Sequence, residues 1–163
     1  MDPQQIVRIV PFLAPVLVVV LWFATAVLLG AFSGWYRLMA AFPDRDEAPI
    51  LRLRGQSGRV GGAVNLDHVL TLSVCPSGLR VGILPVFGPF CRDFLVPWQS
   101  ITLARRPILF GTLVELRFGA PVIGRLGVRE GTAARLAEAA GSRWPEEVAA
   151  PPRAPQGVVS RRR

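Results

Sequence analysis

One stretch constrains this chain more than any other. From Ile9 to Phe32 it reads IVPFLAPVLVVVLWFATAVLLGAF, with no Asp, Glu, Lys, Arg or His. As a helix it would reach about 36 Å, long enough to cross a hydrocarbon core of roughly 30 Å with some tilt. A cleaved signal peptide fits less well. The apolar run is too long, the preceding MDPQQIVR carries one Asp and one Arg, and Ala24-Thr25-Ala26 lies inside the apolar core rather than after it. Pro11 and Pro15 are tolerable near the start of a membrane helix. The expectation is a short tail over 1–8, then an uncleaved transmembrane helix over 9–32.

Orientation depends on arginine on either side of the span. Arg8 and the amino group stand before it; Arg37, Arg45, Arg52 and Arg54 stand after it. That bias predicts a single-pass protein of the inner (plasma) membrane with its C-terminal domain in the cytoplasm. The chain has 163 residues, and the portion beyond the span suffices for one small domain. Its formal net charge is +8 and every basic residue is Arg. Chemistry that needs a tunable lysine is therefore excluded. Beside a membrane span, the basic excess points to anionic lipid rather than nucleic acid. Nucleic-acid binding would want arginines interleaved with stacking aromatics on one face, and the aromatics here fall mainly on inward or membrane positions.

Residues 33–49 form a juxtamembrane segment and connector. Trp35, Leu38, Met39 and Phe42 have helical spacing up to Pro43, with Trp35 and Tyr36 expected at headgroup depth. Such a helix could lie on the headgroups or on the domain, or couple anchor and domain rigidly. DRDEAP (44–49) is a charged connector. From Ile50 the period changes to two. Leu51 and Leu53 alternate with Arg52 and Arg54, and HVLTLSVC and LRVGIL flank the turn PSG to make a hairpin from His68 to Leu84. FLV (94–96), WQSITLARR (98–106), TLVELRF (112–118) and VIGRLG (122–127) read as further strands, with Ile101, Leu103, Val114, Leu116 and Phe118 inward and Glu115 and Arg117 outward. Helical spacing returns in Ala133, Leu136, Ala137 and Ala140, with Thr132 as N-cap and Gly141 as C′ residue. Proline and a terminal arginine run mark 143–163 as a disordered tail.

The fold class expected is α+β: a transmembrane helix, then over 50–142 a seven-strand antiparallel barrel capped by a C-terminal helix. That element order resembles a pleckstrin-homology-like (PH-like) barrel. Gly78-Leu79 and Val96-Pro97-Trp98 with Ile101, together with SGWYRLMAAFP after the span, are similar to small bacterial membrane-anchored PH-like proteins, a largely uncharacterised group. Met39 departs from that pattern. The resemblance implies the fold and a binding role; PH-like relatives bind headgroups, peptides or proteins, and the fold does not choose among them. The basic cluster of headgroup-binding PH domains is missing from the first hairpin loop, where only Arg80 stands near PSG.

Catalysis is not expected. His68 is the one histidine, and beside Asp67 it reads as a surface imidazole at a turn rather than half of a triad. No HxxxH or CxxC supplies a metal site, no cofactor is implied, and RGQSGRVGG lacks the lysine and helix of a phosphate cradle. Cys75 and Cys91 read as small buried hydrophobes, reduced in a cytoplasm and able to pair in an oxidising compartment. Two features stand out as candidate contacts. Phe87 and Phe90 lie in an apolar Pro/Gly loop (85–93), where they could cap the core, dip into the bilayer or enter a partner pocket, with Arg92 beside them for lipid phosphate. Arg105 and Arg106 are adjacent, either a solvated strand end or an anionic contact. The function expected is a binding or adaptor module that recruits a protein or peptide to the membrane surface through the barrel edge near 98–106 and the C-terminal helix. The alternative is a lipid-contacting, membrane-organising module using the 85–93 loop and nearby arginines.

Overall fold

A computed structural model describes the backbone of residues 3–32, 34–61, 64–84, 91–108 and 111–147, and the side chains of these residues apart from 3–12, 29 and 32. Helix α1 spans Pro3–Phe32, starting earlier than the apolar run requires. Gly34, with φ 75°, breaks it, and α2 occupies Trp35–Ala41. The strands are β1 (Leu51–Val60), β2 (Val64–Val74), β3 (Gly78–Ile83), β4 (Phe94–Pro97), β5 (Ile101–Ile108), β6 (Gly111–Phe118) and β7 (Gly124–Arg129), and α3 runs over Glu130–Ala140. Every pairing is antiparallel, in the order β4-β3-β2-β1-β7-β6-β5. A seven-strand curled sheet closed on one side by a C-terminal helix is consistent with a PH-like fold.

The sheet curls because β1 is irregular. Its register against β2 shifts between Leu53 and Gln56 and again before Gly58, and extra residues on one strand bend it. Gly58 opens the stretch where β1 pairs with β2 on one side and β7 on the other; a Cβ there would lie 2.8 Å from Leu70 Cδ1 and 2.9 Å from the Gly127 carbonyl. The glycines of RGQSGRVGG therefore extend a strand that their number alone would not suggest. The inward sets behave as alternation predicts. Leu70, Leu72, Val74, Ile101, Leu103, Val114, Leu116, Phe118, Leu126 and Val128 are all buried, and α3 lays Ala133, Leu136 and Ala140 on them. Its N-cap is Arg129 rather than the expected Thr132, whose hydroxyl donates instead to Gln56 Oε1 at 3.0 Å.

The structure sharpens three expectations. Trp35, in the helix expected on the headgroups or on the domain, packs on the domain: it is 1% exposed, its ring edge-on to Phe94 at 5.0 Å and its Nε1 donating to the Arg92 carbonyl at 3.1 Å. Glu115 lies on the outer face as expected, but is buried beneath arginines. Residues 98–106 are not strand throughout, since a 3₁₀ turn at Trp98–Ser100 precedes β5, which then runs on to Ile108.

The chain also stays on the domain past 142, through a 3₁₀ turn at Gly141–Arg143 to a bridge between Leu103 and Glu147. The connector is docked too. Arg80, 7% exposed, donates through Nε to Asp44 Oδ1 at 2.7 Å and through Nη2 to the Arg45 carbonyl. Glu47 accepts from the Ser77 hydroxyl at 2.6 Å and amide at 3.2 Å, which holds its carboxyl below the usual range.

Among the described residues, no helix is long and apolar enough to cross a membrane. Part of the expected span, at residues 9–12, 29 and 32, lies outside the described side chains. The described part of α1 exposes Leu13, Val16, Leu17, Val18, Leu21 and Leu28.

Candidate functional site

Strand β5 ends the sheet order, so one side of its backbone has no strand of the sheet beside it. Pro107 belongs at such a position, because it has no N–H to give a second neighbour. Natural sheets cover or blunt such edges, which otherwise recruit another strand. Here the cover is the chain's own Trp144-Pro145-Glu146-Glu147. This segment runs alongside β5, parallel to it at the Leu103–Glu147 bridge. Trp144 packs on Trp98 with ring centroids 6.2 Å apart. Arg105 Nε reaches Glu147 Oε2 at 3.0 Å, and its Nη1 reaches Glu130 Oε1 of α3 at 3.3 Å. Between the segment, β5 and α3 lies a cleft of about 240 Å³, with Leu103, Val114, Ala133 and Ala137 on its apolar side and Arg105 on its polar side. Beyond Trp98 a wider polar cleft of about 580 Å³ opens between Arg45, Ser77, Gln99 and Arg143.

These contacts sort the candidate residues. Arg105 lines the groove. Arg106, its neighbour, points to the other face of the sheet and reaches Glu115 Oε2 at 3.2 Å. Arg92 is exposed just before β4, at the far end of the sheet order, with its carbonyl beneath Trp35. Phe87 and Phe90 lie outside the described residues. Among the described residues, Arg92, Arg105 and Arg106 thus stand at three separate places. What the sequence reading missed is the WPEE segment as occupant of the edge. The signal was an aromatic with two acids close behind it in an otherwise basic, proline-rich tail.

His68 stands on a bulge with φ 58°, exposed, its amide donating to Ser57 Oγ and its Nδ1 3.3 Å from the Gly55 carbonyl. Both cysteines are free, and burial raises both thiols, which keeps them protonated and poorly nucleophilic. Burial, and then the nearby Asp44, also raises the Asp93 carboxyl, against the opposing pull of Arg80 and Arg52. Among the described residues, no group of three or more His, Cys, Asp or Glu side chains could hold a metal ion. No protein-family model, curated protein or solved structure matches this chain.

Proposed function

We propose that this chain is a single-pass, membrane-anchored PH-like binding module without catalytic activity. In this reading it holds an extended acidic segment of a protein partner against β5 at the inner surface of a bacterial plasma membrane. One observation carries it: the β5 edge already accepts an extended run bearing acids, through a backbone bridge at Leu103 and an ion pair at Arg105. Strand addition of this kind draws affinity from main-chain hydrogen bonds and specificity from the flanking side chains. Arg105 would select an acid and Trp98 an aromatic. The anchor is supported by the uncharged run Ile9–Phe32 and by the apolar residues that α1 exposes. A lipid-contacting loop at 85–93 draws no such support, because Phe87 and Phe90 are outside the described residues.

The test uses the full-length chain in nanodiscs and a labelled peptide copying Arg143 to Ala149. If the internal segment competes for the edge, W144A/E147Q should bind the peptide more tightly than the unaltered chain, and a further Arg105→Glu should abolish binding. No binding by W144A/E147Q at low salt would sink the proposal.

A further inference from the structure

We infer that the outer face of β5, β6 and β7 is a docking surface for anionic phospholipid headgroups of the leaflet that α1 enters. The inference rests on the anchor reading above, though not on the β5 edge. Alternation and register put Arg106, Arg117, Arg125 and Arg129 on the face opposite Val114, Leu116, Leu126 and Val128, and Arg59 of β1 joins them across from Gly127. Along these rows the single acid is Glu115.

That carboxylate is the hub of the face. Its Oε1 is 2.8 Å from Arg117 Nε and 4.0 Å from Arg125 Nη1, and its Oε2 is 3.2 Å from Arg106 Nε. One carboxylate neutralises one guanidinium, so three around it leave a net positive cluster. Arg59 adds to it, its Nε bonded to the neutral Asn65 Oδ1 at 2.8 Å. The side chains of Arg106 and Arg125 are 51% and 49% exposed, while Glu115 beneath them is 10% exposed. Half exposed, these guanidinium groups keep further N–H donors beyond the one on Glu115, in the fork that suits phosphate oxygens. A face meant only for solvation would mix the two signs.

Position selects the ligand. Gly124, just before Arg125, packs on α2 so closely that a Cβ there would lie 2.7 Å from Leu38 Cδ1. Arg117 is the register partner of Arg125, and Arg37 is exposed on α2 next to Leu38. Arg117 and Arg125 thus stand at the end of β6 and β7 on which α2 packs, on the opposite face of the sheet from Leu38. The rows hold Thr102, Ala104, Leu113 and Gly127 between the arginines and no aromatic, which disfavours single-stranded nucleic acid.

The experiment places the full chain in vesicles of phosphatidylcholine alone or mixed with phosphatidylglycerol. A dye on Thr102→Cys, opposite Arg117, in a Cys91→Ser background reports energy transfer to a headgroup acceptor. In anionic vesicles the ratio of docked to undocked domain should rise by about fivefold for each arginine that reaches the headgroups. High salt should reverse the rise in the unaltered chain, and R106Q/R125Q, which leaves Arg117 on Glu115, should lose about twenty-five-fold of it. Equal transfer in the two vesicles, or an anionic gain undiminished in R106Q/R125Q, would overturn the docking face alone. A chain that floats with neither vesicle would overturn the anchor, and the docking with it.

Discussion

Gly78 shows most sharply what a single side chain can do here. It pairs with Pro97 at the start of β3, and a Cβ at this position would run into the Val96 carbonyl. Backbone cannot yield as a flexible side chain can, so Gly78→Ala should destabilise the domain at the upper end of about 1–3 kcal/mol. A denaturant midpoint measured on the full chain in detergent checks this; an unchanged midpoint would refute the close approach. The same contact explains a sequence pattern. Leu79 pairs with Val96, the Trp98 amide donates to the Ser77 carbonyl, and Trp98 Nε1 donates to the Cys75 carbonyl at 3.2 Å. Gly-Leu and Val-Pro-Trp are thus two halves of one cluster, legible as a motif but not as a contact. Glu115 was not legible as a buried residue. Alternation correctly put it on the outer face, but its cover comes from arginines on three strands, and a single strand's pattern does not report its neighbours' charges.

At the scale of elements, period carried the fold. Period two gave the hairpin from β2 to β3 and the inward rows of β5 and β6, and period 3.6 gave α3, because each face in question meets one core. Period did not decide where an amphipathic face had two apolar surfaces to choose between. The stripe Trp35, Leu38, Met39 and Phe42 suits headgroups as well as protein, and the sequence leaves both open. It packs on the domain, with Trp35 and Leu38 each 1% exposed and Met39 and Phe42 against the core. So α2 is a structural part of the barrel rather than a spacer. Trp35→Ala should cost about 3–5 kcal/mol, as truncation of a buried aromatic does. Were α2 only a headgroup rider, the same change would leave the melting temperature of the full chain unaltered in detergent. The C-terminal segment misled for the opposite reason. Pro145 and two adjacent glutamates look disordered by composition, and only the presence of an uncovered strand edge gives them a place.

For the molecule as a whole, the packing of α2 converts the position of α1 into the position of the barrel. Helix α1 ends at Phe32, α2 begins at Trp35, and Trp35 is fixed to both Phe94 and the Arg92 carbonyl. If α1 is the anchor proposed above, a domain tied that closely has little freedom to tumble at its end, and the side of the membrane it occupies decides what it can meet. On the proposed reading, the arginines after the apolar run outnumber Arg8 before it, a bias that would retain the domain on the cytoplasmic side. The expected outcome is that green fluorescent protein fused after Arg163 is fluorescent and alkaline phosphatase at the same position is inactive, with the chain retained in membranes through an alkaline carbonate wash. Active phosphatase would put the domain outside, where an acidic peptide of a cytoplasmic partner could not reach β5. Release by carbonate would remove the anchor, and with it the reason for a basic outer face on β5, β6 and β7.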